Sequence, residues 1–261
     1  MNQSAVPDEG QITTHRDGRV LVITLDRPRR RNAMTTTMAE QLEASLTQLD
    51  EDSDLRVGVL TGAGGFFCAG QDLGQAVKSE FARTTDRGWF GIVDRPTRKP
   101  LIAAIEGFAL AGGLEIALAC DLLVAAQDAV FGVPEIRNGQ VAAARGLTRL
   151  PIRLPYHVAA EMALTGDPVG ADVMHEHGLL NRMVPAGRAL KEAVALAQRI
   201  AKNPPVATAI TLGAVRDAAA SLEATAWARQ ATALSVYALS STPEYQEGVS
   251  AFLEKRSPNW P

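Results

Sequence analysis

The chain has 261 residues, and its 46% hydrophobic and 21% charged content is ordinary for a soluble globular protein. Its 26 basic and 29 acidic residues give a net charge of −3, which argues against nucleic acid as the main partner. The two cysteines, Cys68 and Cys120, indicate no disulfide framework and favour a reducing, cytoplasmic compartment.

Other functional classes are disfavoured by what the sequence lacks. No His and Cys spacing typical of a metal site occurs, so we expect no bound metal. The polar first ten residues contain no apolar core, so we expect no signal peptide. No apolar run approaches the ~20 residues of a membrane span, so no membrane association is expected.

The N-terminal part of the chain alternates strand and helix signals. Runs of β-branched and apolar residues predict strands at 20–25, 57–61, 101–105, 122–126 and 130–132. Apolar positions at helical spacing predict helices at 38–49 and 112–120. Residues 75–98 are charged with weak periodicity, which favours a mobile helix or loop.

From residue 141 onward the pattern is almost wholly helical. Short helices are predicted at 147–150, 156–164 and 170–177, and longer ones at 187–202, 206–220, 221–239 and 243–254. The break at 202–205 divides the chain into an α/β core, residues 1–202, and a C-terminal helical region, residues 203–261.

Two glutamates lie in unusually apolar surroundings. Apolar residues flank Glu115 and Glu135 on both sides, and no Lys or Arg lies in the segment around Glu115. A buried carboxyl has a raised pKa, which general acid/base chemistry near neutral pH requires. Either glutamate alone is explained equally well by a solvent-facing position on an amphipathic element.

Two glycine-containing turns precede apolar elements, one at residues 68–73 and one at 111–113. Exposed backbone N–H groups in such turns, and at a helix N-terminus, favour negative charge. Donors from two separate segments make an oxyanion hole for an acyl carbonyl. From the glycines alone, two tight turns are the simpler interpretation.

Longer motifs cover nearly the whole chain in one order. The chain resembles the enoyl-CoA hydratase/isomerase (crotonase) superfamily in the segments FCAGQDL at 67–73, EGFALAGGLEIALACD at 106–121 and FGVPEI at 131–136. Shorter similarities are LDRP at 25–28 with NA at 32–33, ALTG at 163–166, GLLNRMV at 178–184 and FLEKR at 252–256. Within the superfamily, the similarity favours enoyl-CoA hydratases and carnitinyl-CoA dehydratase-like members.

The resemblance implies an α/β fold, a spiral of ββα units with a C-terminal helical trimerisation region. It implies an acyl-CoA thioester substrate, no cofactor beyond the coenzyme A of that substrate, and a homotrimer or a hexamer built from two trimers. The implied activity is that of an enoyl-CoA hydratase, with catalytic residues Glu115 and Glu135 and an oxyanion hole made by the N–H groups of Gln71 and Gly112.

The residues implied to bind coenzyme A or the acyl group form a larger set. They are Arg27, Arg29, Arg31, Ala69, Gln71, Asp72, Leu73, Gly112, Pro134 and Gly139. Arg30 belongs to the same basic run, for which a solvated turn is the alternative to phosphate contact.

The segment after Glu135 departs from the family pattern. Ala143 replaces a glycine whose backbone lies beside the catalytic water in hydratases, and Arg145 places a long cation in a normally small loop. Both residues bear on hydration efficiency and substrate shape. A Δ3,Δ2-enoyl-CoA isomerase, a carnitinyl-CoA dehydratase-like enzyme and a non-catalytic acyl-CoA-binding protein therefore stay as alternatives. Acyl chain length is not predicted by the sequence.

Overall fold

The computed structural model describes residues 9–237 and 242–259. The ends of the two predicted regions, at 1–8 and 260–261, and the end of the predicted helix 221–239, at 238–239, lie outside the described residues. The strands of the described chain are β1 (Gln11–Asp17), β2 (Val20–Asp26), β3 (Val57–Gly62), β4 (Arg83–Thr84), β5 (Gly88–Trp89), β6 (Leu101–Ile105), β7 (Phe108–Leu110), β8 (Leu122–Ala126), β9 (Val130–Gly132), β10 (Val169–Gly170) and β11 (Arg182–Val184). The helices are α1 (Thr36–Glu51), α2 (Leu73–Ala76), α3 (Gly112–Ala119), α4 (Gly146–Arg153), α5 (Tyr156–Thr165), α6 (Ala171–Glu176), α7 (Ala189–Ala201), α8 (Pro205–Tyr237) and α9 (Pro243–Glu254).

The main sheet has six strands in the order β1-β2-β3-β6-β8-β11. Strand β1 is antiparallel to β2, and the other neighbours are parallel. A second sheet, in the order β10-β9-β7, lies at the ends of β6 and β8, and it carries the chain into α3. The α/β class predicted from the sequence is confirmed.

Side chains alternate along each strand, and on the central strands β2, β3, β6 and β8 both faces of the sheet are buried. On β2, Leu21 and Ile23 belong to the large core that also contains the apolar face of α1. Val20 and Val22 point to the other face, where the alanines of α7 pack against the sheet. The resulting two-sided core fixes the strand ends, and with them the loops that carry the predicted site.

Two predictions about the C-terminal half of the chain are wrong. Residues 206–220 and the described part of 221–239 form the single helix α8, because no Gly or Pro interrupts the chain near Ser221. Residues 182–184, predicted within the helical part, form edge strand β11, which pairs with β8. Strand β11 is short, begins with a charged residue and has no fully buried side chain, so its sequence does not stand out from the surrounding helical pattern.

The stretch 75–98 differs from the predicted mobile helix or loop. It contains the short hairpin β4-β5, and the side chains of Ala82, Arg87, Phe90 and Ile92 are buried. Arg87 pairs with Asp50, with 2.9 Å between the guanidinium nitrogen and the carboxylate oxygen. The apolar residues of the stretch 75–98 enter the core mostly from turns. Turns have no regular spacing of apolar residues, so the sequence pattern does not reveal that these residues are buried.

Strand β1 was not predicted, because its side chains are mostly exposed and polar.

Helix α7 ends at Ala201 and α8 begins at Pro205, on either side of the predicted boundary at residue 202. The division into a core and a helical region stays a prediction. In the part of the chain that the structure describes, no helix combines the length and hydropathy needed to span a bilayer.

Candidate active site

Glu115 and Glu135 line the same cavity, which has a volume of about 890 Å³. Glu115 lies in the first turn of α3, and Glu135 lies in the first turn of a 3₁₀ helix, Pro134–Asn138, that follows β9. Strands β7 and β9 are hydrogen-bonded neighbours, so the two acids leave the sheet side by side. The fold therefore brings together two carboxyls that are 20 positions apart in the sequence.

Glu115 is held by the backbone of the loop before α4. Its Oε1 accepts hydrogen bonds from the N–H groups of Ala144, at 2.7 Å, and Gly146, at 2.9 Å. Burial raises the pKa of Glu115 to about 7, while these two N–H donors and the nearby Arg149 guanidinium lower it. The charged form of Glu115 is therefore partly stabilised inside the protein.

Glu135 lacks that support. Its Oε2 is buried and has no hydrogen-bond partner among the described residues. Burial, and then repulsion by Glu115, raise the pKa of Glu135 to about 8. Since two close carboxyls do not readily ionise together, the pair holds one proton near neutral pH. The two backbone hydrogen bonds favour the negative charge on Glu115 over Glu135.

The N–H groups of Gln71 and Gly112 lie on two segments that touch. A Cβ atom on Gly70, whose φ is +99°, would lie 2.9 Å from the Gly112 nitrogen, so only glycine permits this approach. Gly112 is the first residue of α3. Among the hydrogen bonds of residues 9–237 and 242–259, neither N–H has a protein acceptor. Both residues line the cavity, as an oxyanion hole requires.

Most of the other predicted binding residues also line this cavity. They are Arg27, Arg31, Ala69, Asp72, Leu73 and Pro134, together with Arg30. Arg27 is buried, and its guanidinium lies 2.6 Å from the Asp72 carboxylate, an ion pair that holds the pKa of Asp72 below its usual range. This pairing supports a role for Arg27 in fixing the 69–73 turn. Arg30 and Arg31 line one edge of the cavity, called the cationic edge below.

Two predicted residues lie elsewhere. Arg29 lines a shallow depression beside β1, and Gly139 ends the 3₁₀ helix in a left-handed conformation with φ 61°. Neither is among the residues that line the cavity with Glu115. Their proposed contact with coenzyme A stays a prediction, and the geometry gives it no support.

The two departures from the family pattern separate in space. Ala143 lines the cavity with the two acids. The Arg145 side chain leaves the loop on the opposite side, where its guanidinium lies 2.8 Å from Asp94 and stacks on the ring of Trp227 at 4.9 Å. Arg145 is therefore not part of the cavity wall, because its side chain contacts Asp94 and α8 instead.

Sequence reasoning missed a group of large apolar residues in the cavity wall. They are Phe81, Trp89 and Phe90 from the hairpin segment, and Tyr245, Phe252 and Leu253 from α9. The Phe90 ring packs so tightly on Gly112 that a Cβ there would lie 2.3 Å away. The aromatic residues within the unpatterned stretch 75–98 were the available signal.

A second cavity, of about 840 Å³, lies between α8 and the core. Its wall includes Arg145, Arg149, Arg153, Arg216 and Glu223, but none of the residues of the predicted oxyanion hole. Cavity size thus does not separate the two, whereas the chemistry of their walls does. Among the described residues, no group of three or more His, Cys, Asp and Glu side chains is arranged to hold a metal ion.

Comparison with known proteins identifies relatives along nearly the full chain. The family model described as enoyl-CoA hydratase/isomerase matches residues 15–261. An enoyl-CoA hydratase of Mycobacterium tuberculosis is 36% identical over 252 residues, which cover 94% of each chain. A 2,3-dehydroadipyl-CoA hydratase of Escherichia coli is 34% identical over 255 residues, covering 96% of this chain and 98% of the relative. The crystal structure of a carnitinyl-CoA hydratase from Mycobacterium avium superposes with a TM-score of 0.90 at 35% identity, covering 98% of this chain and 99% of that one.

Proposed function

The chain belongs to the enoyl-CoA hydratase/isomerase family, and from this premise we propose that it catalyses the reversible addition of water to a 2-enoyl-CoA, giving a 3-hydroxyacyl-CoA. One observation carries the proposal. Two carboxyls with unequal hydrogen bonding, buried Glu115 and half-buried Glu135, face one cavity beside the N–H groups of Gln71 and Gly112. That arrangement contains a base, an acid and an oxyanion hole for one reaction.

The roles of the acids follow from their surroundings. The Glu115 carboxylate removes a proton from water, and the water oxygen forms its bond to C3 of the enoyl group. The C2–C3 π electrons move toward the thioester carbonyl, whose oxygen accepts hydrogen bonds from the N–H groups of Gln71 and Gly112 in the enolate-like state. The Glu135 carboxyl then gives its proton to C2, and the acid/base pair has exchanged its protonation states.

The coenzyme A part of the substrate is placed at the cationic edge of the cavity. Arg30, Arg31 and Lys78 line that edge and are suited to phosphate groups. The acyl group then extends past Gly112 toward the aromatic wall made by Trp89 and Phe90. The chain supplies every group that the proposed reaction uses, so the proposal includes no further cofactor.

The test is direct. Purified protein is mixed with crotonyl-CoA and with longer enoyl-CoAs, and the absorbance of the conjugated thioester is followed. We expect that absorbance to fall, and Glu115→Gln and Glu135→Gln each to lower kcat by about 10²–10⁴-fold. Absence of turnover across the whole panel would overturn the proposal. If Glu135→Gln keeps full activity on a Δ3-enoyl-CoA, the protein is an isomerase that needs one acid/base group.

A carnitinyl-CoA dehydratase-like activity is the second candidate. It is favoured by the close superposition on the Mycobacterium avium structure, whose described substrate carries a quaternary ammonium group. The reaction type is the same, so only the acyl group differs. A higher kcat/KM for a trimethylammonium-bearing enoyl-CoA than for crotonyl-CoA selects this candidate.

We also propose that the protein is a homotrimer, or a hexamer of two trimers, in the cytoplasm. The apolar side chains of Val206, Ile210 and Val215 are exposed on α8, and an association surface accounts for them. The even balance of charges and the buried free cysteines fit a reducing compartment.

A further inference from the structure

The position of Glu115 depends on a loop that contributes no side chain to it. Both hydrogen bonds to its Oε1 come from backbone N–H groups, those of Ala144 and Gly146, just before and at the start of α4. The loop of residues 142–146 is called the Glu115 cradle below. Any displacement of this cradle changes both the orientation of the carboxyl and its acidity.

Helix α8 holds the cradle through three side chains on one helical face. Glu223, Trp227 and Gln230 are spaced at i, i+4 and i+7, so they lie in a row on the helix. Gln230 Nε2 donates a hydrogen bond to the carbonyl oxygen of Ala142 at 2.8 Å. The Trp227 ring lies beneath the Arg145 guanidinium, with 4.9 Å from the guanidinium carbon to the ring centroid.

Glu223 adds an electrostatic contact to the same face. Its Oε1 lies 2.9 Å from Nε of Arg149 and 3.4 Å from Nη1 of Arg145. Arg149 also donates a hydrogen bond to the carbonyl oxygen of Val93 at 2.9 Å. The two arginines lie on either side of Gly146 in the sequence, and the N–H group of Gly146 donates a hydrogen bond to Glu115. The contacts of Glu223 therefore hold the backbone on both sides of that N–H group.

Arg145 has a conformation that glycine would adopt without strain. Its φ is 71° and its ψ is 5°, the left-handed region, and it precedes the first residue of α4. An arginine there costs free energy that the contacts with Asp94, Glu223 and Trp227 offset. Arg145 therefore has a strained backbone conformation, and its side chain attaches the loop to α8.

We propose that the α8 face of Glu223, Trp227 and Gln230 positions Glu115 for the reaction by anchoring the cradle through Arg145, Arg149 and Ala142. The proposal rests on the hydratase function proposed above and extends it, because it gives a helix of the C-terminal region a role in the acid/base step. The three α8 side chains touch the cradle and the arginines around it, so they are positioning residues.

The charged groups around the cradle determine the direction of the effect. Glu115 faces Glu135 from the 3₁₀ helix and Arg149 from α4. Arg149 in turn faces Glu223, Arg145 and, one turn along α4, Arg153. Loosening the cradle weakens the N–H bonds that stabilise charged Glu115. Its pKa then rises, and the acid limb of the kcat profile moves to higher pH.

Two variants change no charge and so isolate the geometry. Gln230→Leu removes the hydrogen bond to Ala142, and Trp227→Leu removes the aromatic face under Arg145. We expect each to lower kcat by about ten- to a hundredfold, with KM changed by less than about twofold, and to move the acid limb of kcat to higher pH. Arg145→Gly should behave alike, although it relieves the backbone strain at that position.

The matched control is Arg216→Met. Arg216 also joins α8 to the core, by an ion pair with Asp121 at 2.7 Å, but it does not touch the cradle. It should reduce thermal stability as much as the test variants do while leaving kcat and its pH profile at wild-type values. Test variants that lose stability like Arg216→Met, yet keep the wild-type kcat and acid limb, would overturn the proposal.

A second readout needs no turnover. Protein labelled at the glutamate carboxyl carbons is titrated by NMR, and the Glu115 signal is assigned by its loss in Glu115→Gln. The proposal requires the Glu115 midpoint to be higher in Gln230→Leu than in the wild type, and an unchanged midpoint contradicts it. If the wild type turns over no enoyl-CoA, the hydratase function fails, and this titration still decides whether α8 sets the state of Glu115.

Discussion

At the scale of single residues, the two acids differ in how the protein solvates them. Glu115 accepts two backbone hydrogen bonds, whereas Oε2 of Glu135 is buried with no partner among the described residues. Both pKa values are raised by burial, and Glu135 is raised further by its neighbour. The difference in hydrogen bonding is the reason for proposing Glu115 as the base and Glu135 as the acid.

The first residue-scale prediction is a bell-shaped pH profile for hydration. The base must be ionised and the acid protonated, so kcat/KM falls below about pH 7 as Glu115 gains a proton and above about pH 8 as Glu135 loses one. Steady-state rates with crotonyl-CoA between about pH 5 and 10 check this. A flat profile through that range contradicts the acid/base assignment.

The second residue-scale prediction concerns stability. A carboxyl whose folded pKa is raised from 4.5 to about 8 binds more protons in the folded than in the unfolded protein between those values, so folding stability decreases as pH rises through this window. Glu135→Gln removes the effect. We expect the variant to gain about 1–2 kcal/mol over the wild type near pH 8, with the gain shrinking toward pH 5.

Thermal unfolding at the two pH values measures that difference, and the gain corresponds to a Tm increase of about 2–4 °C per kcal/mol for a chain of this size. Arg216→Met serves as a reference, because its effect on Tm should not follow the ionisation of Glu135. A Glu135→Gln gain that is the same at both pH values would show that Glu135 is not buried as a strained carboxyl.

At the scale of elements, helix termini and strand ends build the site. Helix α3 presents the Gly112 N–H and Glu115 at its N-terminus, and α4 begins where the Glu115 carboxyl binds. Both helix starts favour negative charge, one for the thioester oxygen and one for the Glu115 carboxylate. The close contact between these two helix starts leaves no space for side chains at certain positions.

Gly146 is such a position, and it gives the element-scale prediction. A Cβ atom on Gly146 would lie 2.9 Å from Cγ and 3.0 Å from Oε1 of Glu115. Gly146→Ala must therefore push the Glu115 carboxyl out of the cradle, and we expect kcat to fall by about a hundredfold. Gly213→Ala on α8 is the control, since a Cβ there meets nothing within 4 Å.

Gly213→Ala should raise stability by about 0.5–1 kcal/mol without changing kcat, because alanine favours a helix interior. Circular dichroism and enzyme assays on the two variants separate the outcomes. An active Gly146→Ala protein would mean that Glu115 does not need its observed orientation.

At the scale of the whole molecule, α8 and α9 contact the candidate site and also have exposed apolar side chains. Helix α9 lies against the 3₁₀ helix that carries Glu135 and contributes Tyr245, Phe252 and Leu253 to the cavity wall. Helix α8 contacts the Glu115 cradle on one face and exposes Val206 and Ile210 elsewhere. Assembly through the exposed part of α8 would also restrain the helix that holds the cradle.

The whole-molecule prediction is that the double variant Val206→Asp, Ile210→Asp dissociates the assembly. Charged side chains do not tolerate burial in an apolar interface, so sedimentation should shift from a trimer or hexamer to the monomer. Lys202→Asp, just before α8, is the charge control and should leave the assembly intact. A wild-type protein that sediments as a monomer would exclude the proposed homotrimer.

The sequence by itself determined the family and the α/β class, and it singled out the two glutamates that are proposed as the acid/base pair. Long motifs such as EGFALAGGLEIALACD are local, and strands such as β2 and β6 are continuous β-branched or apolar runs, so a one-dimensional pattern contains them. The sequence did not predict β11, which is short and only partly buried, and it divided α8 in two although no Gly or Pro interrupts the helix near Ser221.

Only the tertiary structure shows which of the two carboxyls accepts backbone hydrogen bonds and where Arg145 points. The amides that stabilise Glu115 come from a loop about thirty residues away, and the side chains that attract Arg145 come from Asp94 and α8. Such contacts join distant segments through space, and their energies depend on burial and distance rather than on neighbours in the chain. For that physical reason, the sequence could name the candidate residues, whereas their hydrogen bonds and relative positions depend on the fold.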